Sequence, residues 1–181
     1  GTVKWIIDDS LKSKSTTAPL PEDTLANCLQ LIANAGECVM YQDRDGILHI
    51  EPMKFDDTDY AITLSNSYSK SEITLSKQLK QVDVKVHTYT IGEKEIEDET
   101  VLESIVVNTT GEIITIDNPL VTSVAMAKSL GTWIATHLGH RMTLDSSWRA
   151  DIRLDALDIV ANENNYNTNR VRMTDIEYKY N

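Results

Sequence analysis

Along residues 82–87 the chain alternates, with Val82, Val84 and Val86 separated by Asp83, Lys85 and His87. A period of two puts the three valines on one face and predicts a half-buried strand. Residues 73–76, 101–107 and 112–116 read as further strands, with Gly92 and Gly111 at turns. A different period holds at Leu25, Cys28, Leu29 and Ile32, which fall at i, i+3, i+4 and i+7. That stripe predicts a helix, with Pro21-Glu22-Asp23 in its first turn and Gly36 as its stop. Two strand-like runs follow, 38–42 and 47–51, and Asp43-Arg44-Asp45-Gly46 between them is a hairpin turn by its composition.

A second helix is predicted over 122–138, capped by Thr122 or Ser123, with Ala127, Leu130, Ile134 and Leu138 as its stripe. Gly131 falls inside it, which costs stability unless something packs closely there, and Gly139 ends it. Strands resume at 141–148, 157–161 and 170–180. Before all of these come a short apolar run, Trp5-Ile6-Ile7, and a Ser/Thr/Lys stretch, 10–17, that reads as a flexible connection. No repeat of solenoid or propeller length is visible. The pattern gives an α+β, β-rich chain in two parts. Residues 1–59 hold a linker and a helix-on-hairpin unit; residues 60–181 hold a β-barrel-like unit with one inserted helix.

Composition narrows the function classes. The chain of 181 residues is 41 % hydrophobic and 25 % charged, ordinary for a globular protein. Its net charge of −11 opposes nucleic-acid binding through phosphates. No apolar run approaches the roughly 20 residues of a membrane helix, and no signal peptide is visible. Cys28 and Cys38 read as reduced core residues rather than a disulfide framework, which fits synthesis in the cytosol. The chain enters without an initiator methionine and stops within its last strand, so it reads as a piece of a longer protein.

Candidate chemistry is sparse. Asp43-Arg44-Asp45-Gly46 lacks the third acid and the closing glutamate of a calcium loop. His137 and His140 flank a helix C-terminus, where imidazolium complements the dipole, and no further ligand stands at metal spacing. There is no nucleophile elbow, P-loop or dinucleotide fingerprint. Among 28 acids a glycosidase-like pair can always be imagined, so that signal carries no weight. The cluster Glu93, Glu95, Glu97, Asp98, Glu99 reads as a solvated loop. The Asn-rich stretch 162–169 suits either sugar contact or tight turns. The expectation is a chain with no catalytic residue, no metal and no cofactor.

Two sets of residues carry a family resemblance. The first is the helix Leu25-Ala26-Asn27-Cys28-Leu29-Gln30-Leu31-Ile32-Ala33 followed by the hairpin around Asp43-Arg44-Asp45-Gly46. The second is Asn118-Pro119-Leu120-Val121, a helix, Trp148-Arg149-Ala150-Asp151-Ile152, then Leu157-Asp158, then a closing segment with Ile176-Glu177-Tyr178-Lys179-Tyr180-Asn181. Together these resemble the bacteriophage and prophage tail (baseplate) hub proteins. Ala150, Ile152 and Leu157 depart from that pattern, standing where such proteins carry glycine, proline and glycine.

The resemblance implies a virion structural protein, made in the bacterial host cytoplasm and built into the tail, where it links tail tube to tail tip. It implies a trimeric or hexameric ring of the intact protein that meets distal tail, tail tube and tape-measure proteins. It implies no enzyme activity in these residues, no specific nucleic-acid binding and no membrane contact. A ring channel passing DNA should avoid basic walls, which fits the acidic charge. Pro119, Trp148, Arg149, Asp151 and Asp158 become structural or interface candidates, with Arg149 expected to hold Asp151 or Asp158. The rival reading is a saccharide-binding host-adsorption module.

Overall fold

The computed structural model of the chain describes residues 4–53, 60–92, 96–149, 151–155, 157–163 and 167–177, and every structural statement below refers to these. They form a mixed α+β fold made mostly of strands, with two α-helices and several small sheets.

Helix α1 (Leu25–Ala35) starts at Thr24, whose hydroxyl accepts from Asn27 N, and ends at Gly36. Pro21, Glu22 and Asp23 therefore lie before the first turn and not in it. Asp23 acts from outside, accepting from Asn27 Nδ2 at 2.8 Å. The hairpin is present as β2 (Val39–Gln42) and β3 (Ile47–Glu51), paired antiparallel. Asp43 closes its turn, with Oδ1 accepting from Asp45 N at 3.0 Å and Ile47 N at 2.8 Å. Gly46 takes φ +76°, a conformation open to glycine without steric cost.

Two features of this unit were not legible. The Trp5-Ile6-Ile7 run is β1 (Lys4–Ile7), added parallel to β3. The 10–17 stretch is no slack connection: a 3-10 turn spans Asp9–Ser13, and Thr16 Oγ1 donates to Leu120 O at 2.8 Å. Ala33, Cys38 and Ile50 form the unit's core, with Leu11 and Met40 against them. The predicted helix stripe is turned outward at its ends, where Leu25 and Ile32 are exposed.

From residue 60 on, the pairings are nested. Outermost, β4 (Ala61–Ile62) runs parallel to β10 (Ile159–Glu163), which also pairs antiparallel with β11 (Thr168–Arg172). Inside that lies a ribbon of two antiparallel stretches. Arg149 N donates to Asn66 O, Tyr68 N to Ser147 O and Ser76 N to Arg141 O. Ser67 bridges Trp148, and β5 (Glu72–Leu75) pairs with β9 (Met142–Asp145). The ribbon carries a lobe at its far end. There β6 (Leu79–Ile91) sits between antiparallel β7 (Ile96–Val106) and parallel β8 (Glu112–Ile116), and α2 (Val124–Leu138) covers one face.

The lobe's core follows from the alternation that predicted it. Val82, Val84 and Val86 face Ala127 and Leu130 of α2, and Leu79 and Val121 complete the cluster. Ser123 is the N-cap of α2 and Gly139 its C-cap. Gly131 has the close neighbour its position demanded, because a Cβ there would stand 2.2 Å from Ile105 Cδ1 and 3.2 Å from Val84 Cγ2. A second core gathers Ile62, Leu154, Val160 and Met173, with Tyr60, Trp148, Val171 and Ile176 packed on it.

Three expectations are corrected. Glu97, Asp98 and Glu99 belong to strand β7 rather than a loop, while Glu93 and Glu95 lie outside the described residues. The strand expected at 157–161 begins at Ile159, because Leu157 turns the chain at φ +73°. The strand expected at 170–180 ends at Arg172, and residues 178–181 lie outside the described set. The β-rich unit itself is present as open sheets of two or three strands among the described residues.

Candidate functional site

Where the ribbon meets the second core, Trp148 stands between two adjoining clefts. Its bridge to Ser67 holds the backbone, and its ring packs on Ile62, Leu154, Val160 and Met173. The first cleft, of 440 Å³, lies on the side of Tyr60, Asn66, Arg149, Asp151 and Arg153. The second, of 730 Å³, is walled by the consecutive residues of β9 and β11 together with His137 and His140. Both clefts include Ile62 and Trp148 in their walls.

The ion pair expected for Arg149 is not there. Asp151 is held instead by Arg153, whose Nη2 lies 2.7 Å from Oδ2 and whose Nε lies 2.9 Å from Oδ1, with its own backbone N also on Oδ1. Arg149 and Arg153 are equally near Asp151 in sequence, and the turn in which Arg153 N donates to Asp151 Oδ1 folds Arg153 back onto the carboxylate. These bonds hold the Asp151 carboxyl down to about 2 and raise the Arg153 guanidinium. Arg153 also lies over the Tyr60 ring, 4.6 Å from its centroid. Arg149 stays exposed on the cleft wall. Asp158 pairs with no arginine and serves its own turn, its Oδ2 accepting from Asp155 N at 2.8 Å.

Pro119 lies elsewhere, in the joint between the two halves of the chain. Tyr89 Oη donates to Pro119 O at 2.9 Å, and buried Asn118 accepts from Leu120 N while donating to Leu31 O at 2.9 Å. His87 N donates to Val121 O in the same turn. A second joint is made by Arg44, which donates from Nε to Asp155 Oδ2 at 3.0 Å and from Nη1 to Ile152 O. The motifs of the first unit thus touch the motifs of the second. Helix α1 meets Asn-Pro-Leu-Val, and the hairpin turn meets the loop after Trp148.

Two strand histidines were missed by the sequence reading, His87 buried and His49 half-buried. His87 lies between Asp98 Oδ2 at 2.9 Å and Asp117 Oδ1 at 3.0 Å, stacked on Tyr89. The Lys85 ammonium, against opposing burial and with help from His87, holds Asp117 below the usual carboxylate range. His49 lies 2.9 Å from Asp43 Oδ2 and is stacked on Tyr41, whose hydroxyl donates to Glu51 at 2.6 Å. Burial and that bond to Glu51 push the Tyr41 phenol well up, and His49 draws Asp43 down. Both are acid–histidine braces on strands; the alternation that marks Val82, Val84 and Val86 as inward assigns His87 to the polar face, so the pattern carried no signal for it.

His137 does not join a metal set. It stacks edge-on with Trp133, and burial, then the charges of Arg172 and His140, push its imidazole down. Among the described residues no three His, Cys, Asp or Glu side chains gather at metal-binding distance. No helix there is long and apolar enough to cross a membrane. In the Asn-rich stretch, Asn162 is buried and donates to Ser146 Oγ at 3.1 Å, so it braces the ribbon. Asn164 and Asn165 lie outside the described residues, as does Ala150.

No protein-family model matches the chain, and no curated protein matches it. Among solved structures, the fold is similar to that of the prophage MuSo2 43 kDa tail protein from Shewanella oneidensis. The TM-score is 0.60 at 14 % identity, over 94 % of this chain and 55 % of that one, so the chain spans about half the length of that tail protein.

Proposed function

We propose that the chain is a structural part of a bacteriophage or prophage tail, within the baseplate hub that joins tail tube to tail tip. The observation that carries this reading is the fold likeness to a prophage tail protein over 94 % of the chain. The hub-like motifs support the finer assignment, since Arg44 and Asn118 use them to fasten one half of the chain to the other. In this reading the intact protein is made in the host cytoplasm, closes into a trimeric or hexameric ring in the virion, and contacts distal tail, tail tube and tape-measure proteins. Exposed apolar side chains support an assembled state, among them Tyr68 at 73 %, Leu75 at 67 % and Val106 at 68 %. The acidic charge lets DNA pass a ring channel without sticking. In this reading these residues do no chemistry, and the chain should release no soluble product from purified cell wall.

The test is to tag the full-length protein and purify tails from lysates. Co-purification with tail-tube and tape-measure proteins is expected, and a full-length protein that stays monomeric and apart from tails overturns the assignment. A saccharide-binding reading draws on one observation, the Trp148 cleft with Tyr60 and Arg149 on its wall. Glycan-array binding abolished by Trp148→Ala would favour it over the hub.

A further inference from the structure

We infer that the arginine-lined cleft between β9 and β11 receives the acidic outer edge of β7 from a second copy of this chain. The inference rests on the ring-forming reading above and names the surface through which the copies meet.

The arginines are concentrated late in the chain. The molecule carries a net −11, yet five of its six arginines fall between residues 141 and 172. Arg141, Arg170 and Arg172 line the larger cleft with His137 and His140, while Asp145 and Asp175 are the acids of its described wall. Arg141 uses Nε and Nη2 on Ser76 O, which fixes the guanidinium at the end of the ribbon. Guanidinium groups match carboxylates in geometry as well as charge.

The walls suit an extended guest. β9 and β11 each stand at the margin of a sheet, in the orders β5-β9 and β11-β10-β4, and each contributes consecutive residues to the cleft. Strand margins bind extended segments by main-chain pairing, and side chains beside them choose which segment.

β7 has the complementary features. It is the margin of the sheet ordered β7-β6-β8, runs over eleven residues and is exposed along most of them. Glu97 and Glu99 are exposed there and form no ion pair among the described residues, and Val101, Leu102 and Val106 follow as exposed apolar positions. A long margin of this kind invites pairing, and its carboxylates restrict the partner to a cationic one. Cleft and edge are different patches, so the contact is head-to-tail, the type that generates rings.

Sedimentation of the chain over a concentration series, at low and high ionic strength, tests this. Wild type should associate at low salt and dissociate as salt rises. Glu97→Lys with Glu99→Lys should weaken association about ten-fold or more, and so should Arg170→Glu with Arg141→Glu. Arg170→Glu alone is the check that leaves the Ser76 contact intact, and circular dichroism confirms that each variant folds. Mixing the two double variants should restore association, because each then offers an intact surface to the other. Wild type that stays monomeric, variants that associate like wild type, or a mixture that stays apart would each overturn the contact. Association that ignores both charge reversals sinks this inference and leaves the tail reading standing. Restored association in the mixture, with no co-purification with tails, does the reverse.

Discussion

Leu157 holds φ +73°, a left-handed conformation that costs a residue with a Cβ about 1 kcal/mol or more. The turn is made here by a residue that carries a side chain. The turn persists because Leu157 N donates to Met173 O and Met173 N donates to Asp158 O, both at 2.8 Å. Isoleucine has the same volume but branches at Cβ, which that conformation tolerates worst. Leu157→Ile should therefore lower urea-unfolding stability by about 1–2 kcal/mol. Gly131→Ala pits a helix-propensity gain near 1 kcal/mol against an overpacking cost of about 1–3 kcal/mol. With β-branched Ile105 and Val84 as the neighbours, overpacking should win and the variant should melt lower than wild type. Asp117 sets a pH dependence: its folded value is depressed, so its contribution is present above the unfolded value of about 3.9 and is lost as pH falls through the folded one. Asp117 is 52 % exposed, so screening holds the effect to roughly half a kcal/mol. Melting temperature should drop below pH ~4, and less steeply in Asp117→Asn.

At the scale of elements, the parts that could be read from sequence are those with local causes. The α2 stripe, the Val82-Val84-Val86 alternation and the Asp43 turn each carry their pattern within a few residues. β1 and β4 have four and two residues and take partners far along the chain, so the apolar run Trp5-Ile6-Ile7 marked β1 without its pairing and nothing local marks β4. The 3-10 turn at Asp9–Ser13 was hidden because Ser and Lys serve flexible segments equally well. Arg149 was paired wrongly for a related reason: spacing shows which charges are near in sequence, but not which one a turn folds back. The joint at Asn118 was visible only as a motif without a job. Its side chain ties α1 to the lobe, so Asn118→Ala leaves Leu31 O and Leu120 N without their partner. The expected loss is about 1–3 kcal/mol, because buried polar groups are left unsatisfied, read as a lower urea midpoint with an unchanged slope.

For the whole molecule, the sequence pointed to a β-rich α+β chain with one helix on a hairpin and one among strands, and these are present. The nesting of residues 77–140 as an excursion between the two sides of a ribbon was not legible, since alternation reports a strand but not its partner. The arginine bias of the last third was visible as composition; its meaning needed the fold that brings residues 141 and 170 to one cleft. No ligand set of adequate size gathers among the described residues. A chelator should accordingly leave the melting temperature of the chain unchanged, and a fall of several degrees would contradict the reading.

The nested pairings also impose an order in time. Ala61 and Ala161 are partners across the whole span of the lobe and ribbon, and their strand contributes two residues, Ala61–Ile62. The entropy of closing a loop grows with its length, so this closure should come after the lobe and then the ribbon have shortened the gap. Opening should run the other way, from the outside inward. Native-state hydrogen exchange would record it as a gradient, with the Ala161 amide, donated to Tyr60 O, exchanging first. Tyr68 and Ser76 in the ribbon should follow, and the β6 amides under α2 should be last. The outer strands are thus the last part of the molecule to commit, and they border the same cleft walls where a neighbouring copy would arrive.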